Sequence, residues 1–444
     1  MPTVVVTTTG FSALARYTGK AAGVDNLSIA EYPGPVGIHD SAEITRNIEA
    51  GLIERIVERL TRETRTAANA ASASPDPRAI VCSGTPEEID RFFRANDWTD
   101  GLPIVPPTIA RVEDFLRYVE RAPNDEIAIL PSAYLRATPW NIAANAVMAG
   151  CRPEHMPLLI AVVEALADEK CSLTNIGSSS GIVPYVLVNG PIAKALGIEA
   201  GPQLISRGAN PAIGRALGLI VRNIAGFRPG ASYMGTFGYP LAFTLAEHED
   251  ESPWEPFHVG QGYSRNTSTV TIGVTNNWGS SPSPSDTPEQ SGAQTALDLI
   301  CREVTKKTRL FNFPAIGPHA EKVMITVLMS PPVAKSLAAA GYSKQDVQRY
   351  IHEHARMPLG DFDWVLRYTA TMHTTARERV QAGLLPPEFA GAAGDRVRVL
   401  SSPDIVHIIV CGDPHRNRLM VMEGGHTQPT TRPVELPKNL GQIS

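Results

Sequence analysis

The chain has 444 residues, 43% of them hydrophobic and 19% charged, with a net charge of −5 at pH 7. That length predicts two or three domains, the composition excludes disorder throughout, and the charge excludes a nucleic-acid binder. No run approaches the roughly 20 apolar residues of a membrane span, and five dispersed cysteines without a CxxC pair predict a reducing cytoplasm, not a disulfide framework or zinc ribbon.

The opening Pro2–Thr7 reads as a buried strand, followed by a polar loop to Gly10 and a helix start at Phe11–Tyr17. It lacks the basic start and cleavage site of a signal peptide. Ile44, Ile48, Leu52, Ile56 and Leu60 recur four apart, a helical period over Ile44–Thr64. We read 1–65 as the later part of a small α/β domain, 66–85 as a linker centred on TAANAASASPDP, 86–275 as a first α/β half and 290–444 as a second.

Thr85-Pro-Glu-Glu88 opens a helix, the prolines of 98–107 keep that stretch extended, and 139–168 reads as two helices split at Gly150–Pro153. Val183–Asn189 is a strand, 211–223 a helix, 247–269 a polar and aromatic loop, 276–289 a flexible stretch, and Ile405–Cys411 a further strand. Pro191-Ile-Ala-Lys-Ala-Leu196 and Pro332-Val-Ala-Lys-Ser-Leu337 match at an offset of 141 residues, each after an apolar strand. The fold class expected is therefore α/β: a partial N-terminal unit, then two related halves with a cleft between them.

Cys151 precedes Pro153 and Glu154 at a helix start and follows Gly150; with Arg152 beside it, it is a candidate nucleophilic thiol. The stretch from Glu247 to His258 holds four glutamates, an aspartate and two histidines. Glu247 and His248 are candidate proton-transfer groups, and Glu247, His248 and Glu251 a candidate divalent-metal set without a defined ligand spacing. Arg207, Asn210 and Arg215 suit an anionic substrate, and Asp100, Asn145 and Asn189 are candidates to orient it. No dinucleotide or P-loop motif is present, and GSSSG at 177–181 lacks the strand before it that a nucleophile elbow needs.

WTDGLPIVPPT (98–108), AANAVMAGCRPEHMP (143–157), VNGPIA (188–193), RGANPAIGRALGLIVRNIAG (207–226), SPWEP (252–256), GYSKQDVQRYIHEHAR (341–356) and TQPTTRPVELP (427–437) occur in this order. The set resembles the long form of the UGSC-type (seleno)protein family. The resemblance implies thiol or selenol redox chemistry, and a small α/β domain bearing a Sec/Cys-Gly-Ser-Cys motif, whose later part is similar to PTVVVTTTGF (2–11) and AEYPGPVG (30–37). That motif is missing from this sequence, so the resemblance implies a separate chain carrying it, or a start site placed too late, as when a selenocysteine codon is read as a stop.

The expected activity is that of a thiol- or selenol-dependent oxidoreductase or lyase, as main chain or subunit, acting on a small anionic organic substrate. Its expected partners are a small UGSC-motif chain and further copies of itself, with neither nucleic acid nor membrane. The alternatives are a metal-assisted lyase or hydratase working through 247–258, and a non-enzymatic scaffold for a small selenoprotein.

Overall fold

The computed structural model describes residues 2–62, 76–178, 180–238, 241–307, 323–368, 374–426 and 428–436. The fold is mixed α/β. The expected linker falls outside the described residues up to residue 75. At the N-terminus β1 (Val5–Thr8) and β2 (Ile29–Tyr32) form a parallel pair. The single helix read over Ile44–Thr64 is instead two, Ser41–Glu49 and Leu52–Thr61. Gly51 lies between them at φ 98°, a left-handed conformation that ends one helix and opens the next.

Downstream, β3 (Ala128–Leu130) and β4 (Leu135–Ala137) make a small antiparallel pair. The first large sheet contains β5 (Val183–Asn189), β6 (Phe243–Ala246) and β7 (Thr269–Thr275). The second has β8 (Val323–Met329), β11 (Val406–Val410) and β12 (Leu419–His426). Between β8 and β11 the chain makes an antiparallel pair, β9 (Arg356–Pro358) with β10 (Arg396–Arg398). The last strand, β13 (Thr430–Pro433), does not stay in the second half. It pairs antiparallel with β7, giving the order β13-β7-β5-β6 in the first sheet against β11-β8-β12 in the second.

Each sheet has a central strand with one parallel and one antiparallel neighbour: β5 between β6 and β7, and β8 between β11 and β12. The helix before β5, Met156–Leu166, packs on β7; the helix before β8, Gly292–Lys307, packs on β12. The two sheets meet through Tyr185, Leu187, Phe243, Leu245, Leu328, Ile409 and Met422, an apolar layer distinct from the core of either half. Within that layer the Tyr185 hydroxyl hydrogen-bonds Thr326 Oγ1 at 2.8 Å, and these residues are 141 apart.

Local chemistry sets the helices that frame the site. Glu88 N–H donates to Thr85 Oγ1 and Thr85 N–H donates back to the Glu88 carboxylate at 2.8 Å, a reciprocal cap that starts Pro86–Ala95. Thr138 caps Pro139–Ala149, which stops at Gly150 (φ 83°). Met156–Leu166 is apolar on every side and buried except at Glu164, as a helix enclosed by a sheet and other helices must be.

Candidate functional site

Parallel β5 and β6 end together at Asn189 and Ala246, and ligand crevices in open α/β sheets form outside such carboxyl ends. Gly190 (φ 83°) makes the turn after β5, where a Cβ would lie 2.5 Å from Thr267 O. The acidic segment after β6 folds back over this end. A cleft of about 600 Å³ results, lined by Gly190, Lys194, Glu199, Glu247, His248, Glu249 and Arg265 among others.

Asn189, fully buried, ties the segment down. Its Nδ2 donates to Glu247 Oε2 at 2.7 Å and to Glu249 Oε1 at 3.0 Å, and Gly190 N–H adds a bond to Glu249 Oε1 at 2.7 Å. Glu247 Oε2 also accepts from Phe257 N–H at 2.5 Å, while Oε1 lies 3.5 Å from Lys344 Nζ of the second half. Behind Glu249 lies buried His258, whose Nδ1 is 3.8 Å from Glu249 Oε1 and whose Nε2 is 3.2 Å from Ser264 O. Among the described residues, Asn189 Oδ1, Glu247 Oε1, His258 Nδ1 and Thr269 Oγ1 are buried without a hydrogen-bond partner. Two carboxylates on one amide, backed by an imidazole and an ammonium, form a polar centre in an otherwise apolar seam.

Two further acids of the segment are in ion pairs. Asp250 pairs with Lys194 of the first half and Glu251 with Lys335 of the second, and each lysine bond holds its carboxyl below the usual range. His248 N–H donates to Val410 O at 2.7 Å, which fixes its backbone at the end of β11. The segment therefore bridges the two halves as well as covering the cleft.

The residues picked out from sequence do not share one place. Cys151 lies just past the end of Pro139–Ala149, its N–H bonded to Ala146 O. Its Sγ donates to Ala212 O at 3.3 Å, and burial pushes the thiol up. Arg152, expected to favour the thiolate, instead pairs with Glu154 and donates to Leu196 O. The activated-thiol expectation at Cys151 gains no support from this geometry: the thiol is only partly exposed and the Arg152 guanidinium is engaged elsewhere.

Asp100 and Arg215 engage each other through two bonds, Nε to Oδ2 at 2.8 Å and Nη2 to Oδ1 at 2.9 Å, and Arg215 also donates to Pro103 O. Burial alone would raise the Asp100 carboxyl, but the guanidinium outweighs it and holds it below its ordinary value. This pair fixes the proline-rich segment onto the helix Asn210–Asn223 and is not directed at a substrate. Asn145 bonds Asn141 O and accepts from Asn223, between two helices. Asn210, fully buried, accepts from Glu199 N–H and donates to Glu199, Leu204 and Thr244 carbonyls. It latches the loop that walls the cleft. Arg207 is exposed and pairs at 3.6 Å with Glu199, a cleft residue. Of the expected substrate residues, Asn189 is in the polar centre and Arg207 is joined to the rim.

The expected metal set is also corrected. Glu247 faces Asn189 and Phe257, and Glu251 faces Lys335. Among the described residues no group of three His, Cys, Asp or Glu side chains is arranged to hold a metal ion. The residues that sequence reasoning passed over are Glu249, His258 and Lys344. The first two lay inside the acidic stretch already singled out, and Lys344 gave no local signal.

Comparison with family models, curated proteins and solved structures finds no significant match. Among the described residues no helix is long and apolar enough to cross a membrane.

Proposed function

We propose that this chain is the substrate-binding and proton-transfer part of an enzyme acting on a small anionic organic molecule. The observation that carries the reading is the cleft at the carboxyl ends of β5 and β6, with Glu249 anchored by Asn189 and Gly190 at its wall. Glu249 Oε1 is held by two donors, so its other oxygen is the proton acceptor. His248 lines the same cleft, and Arg265 supplies positive charge for the anion.

The thiol or selenol of an oxidoreductase or lyase would come from another polypeptide. Supporting this, burial raises Cys151, Cys171, Cys301 and Cys411, so none of them is set up as a thiolate. A place for that polypeptide is the N-terminal unit, a two-stranded sheet that leaves Val6, Ile53 and Val57 more than half exposed. All five cysteines are free, which favours a cytoplasmic setting. The matching strand arrangement of the two sheets supports reading the chain as two related halves.

The test is proton exchange. Short carboxylic acids are incubated with the protein in D2O and their C–H signals followed by NMR. Exchange is expected for at least one acid and is expected to vanish in Glu249→Gln. No exchange with any acid, together with no ligand-induced rise in melting temperature, would sink the reading.

A further inference from the structure

A second crevice lies in the other half, at the carboxyl ends of parallel β8 and β11, with a volume of about 370 Å³. It is separate from the Glu249 cleft, sharing only Gly201 with it. Its apolar surface is Leu328, Met329 and Leu419, all buried, with Met420 beside them. Loop residues 203–206 of the first half form the facing wall. The Trp278 indole, 42% exposed, also lines the space and is held edge-on against Phe243 at 5.3 Å.

Two exposed arginines complete the lining. Arg416 pairs with Asp413 through Nε at 3.0 Å, and Arg418 donates through Nη1 to Ser281 O at 3.0 Å. These contacts fix both side chains and leave guanidinium N–H groups without an acceptor among the described residues, since each guanidinium carries five donors. With one aspartate against two arginines, the lining is net positive.

We infer that this crevice binds a small organic acid with an aromatic or branched apolar body. The carboxylate meets the arginine forks, which match its geometry with two parallel N–H bonds. The apolar body lies against Met329 and Met420 beside the Trp278 indole. Volume and lining both suit a compact ligand at the lower end of the usual pocket range. A simple anion would leave the apolar wall uncovered, and an amine would face two like charges. The inference is independent of the Glu249 reaction, because no residue proposed to act there lines this space.

The experiment uses the full chain labelled with 5-fluorotryptophan, the Trp278 signal being assigned through Trp278→Phe. Phenylacetate and indole-3-acetate are titrated, with acetate and phenethylamine as controls. The Trp278 resonance should move saturably with the two aromatic acids and not with the controls, while the other four tryptophan signals stay in place. Removing both charges (Arg416→Ala with Arg418→Ala) should weaken binding about tenfold or more. The four remaining signals report that this variant is folded, and Arg416→Glu should reverse the preference towards phenethylamine. Absence of a saturable shift with either acid, an equal response to the amine, or unchanged affinity in the folded double variant would overturn the proposal.

Discussion

Asn210 separates a ligand residue from a latch, and the structure says which to expect. Its side chain is fully buried and its Oδ1 accepts from Glu199 N–H at 2.8 Å. Its Nδ2 donates to Leu204 O at 2.8 Å, Glu199 O at 3.0 Å and Thr244 O at 3.1 Å. Two N–H groups shared by three carbonyls count as two bonds, so Asn210→Ala removes about three. At about 1 kcal/mol each, plus the cost of leaving Glu199 N–H unpaired, the loss is about 4 kcal/mol. For a cooperative unit of this size that is a fall of about 8–16 °C in melting temperature. Asn210→Asp should be at least as damaging, because it turns a carboxylate oxygen towards the same carbonyls. Calorimetry on both variants reads this directly. A melting temperature within about 1 °C of wild type, with ligand binding lost, would show that Asn210 serves the ligand and that the latch argument is wrong.

The remaining predictions concern charge and thiols. With Ellman's reagent at mildly alkaline pH, Cys82 should react in the native protein, Cys151 slowly because it is partly exposed and its thiol is pushed up, and buried Cys171, Cys301 and Cys411 only in urea; fast labelling of Cys151 would restore it as a nucleophile. Burial, with Arg152 adding to it, pushes His155 down from 6.5 to about 4, and burial does the same to His407. The neutral forms are therefore favoured in the fold, and their contribution is fully present above pH 6.5 and lost as pH falls towards 4, about 3 kcal/mol for His155. A melting temperature flat between pH 7 and pH 5 would contradict this. Lys344→Met leaves Glu247 buried beside no cation and should cost about 3 kcal/mol, with faster proteolysis of the 253–256 stretch; unchanged stability would mean the pair adds nothing.

β5, β8 and β11 were legible because they are largely apolar runs, and the helix start at Thr85 carries its own cap. Other strands were not. β7 and β12 are interrupted by glycines, and β13 holds a proline, which an edge strand tolerates and a local pattern does not reveal. The site divided in the same way. The density of acids at 247–251 marked the segment that lines the cleft, but which acid faces the cleft depends on where β6 ends. Arg215 looked free because its partner Asp100 is 115 residues away, and Cys151 looked activated because burial is a tertiary property.

The return of β13 to the first sheet orders events in time. Thr431 Oγ1 bonds Thr271 Oγ1 across 160 residues, Arg432 reaches Asp168, and Thr430 Oγ1 donates to Ala165 O. On the ribosome, the β7 edge and the flank of the helix Met156–Leu166 emerge long before the strand that covers them. The first half is thus begun first and closed last, after the entire second sheet has been synthesised. A fragment cut between the halves would carry an uncovered β7 edge, so aggregation at that edge, not loss of the second core, is its expected failure.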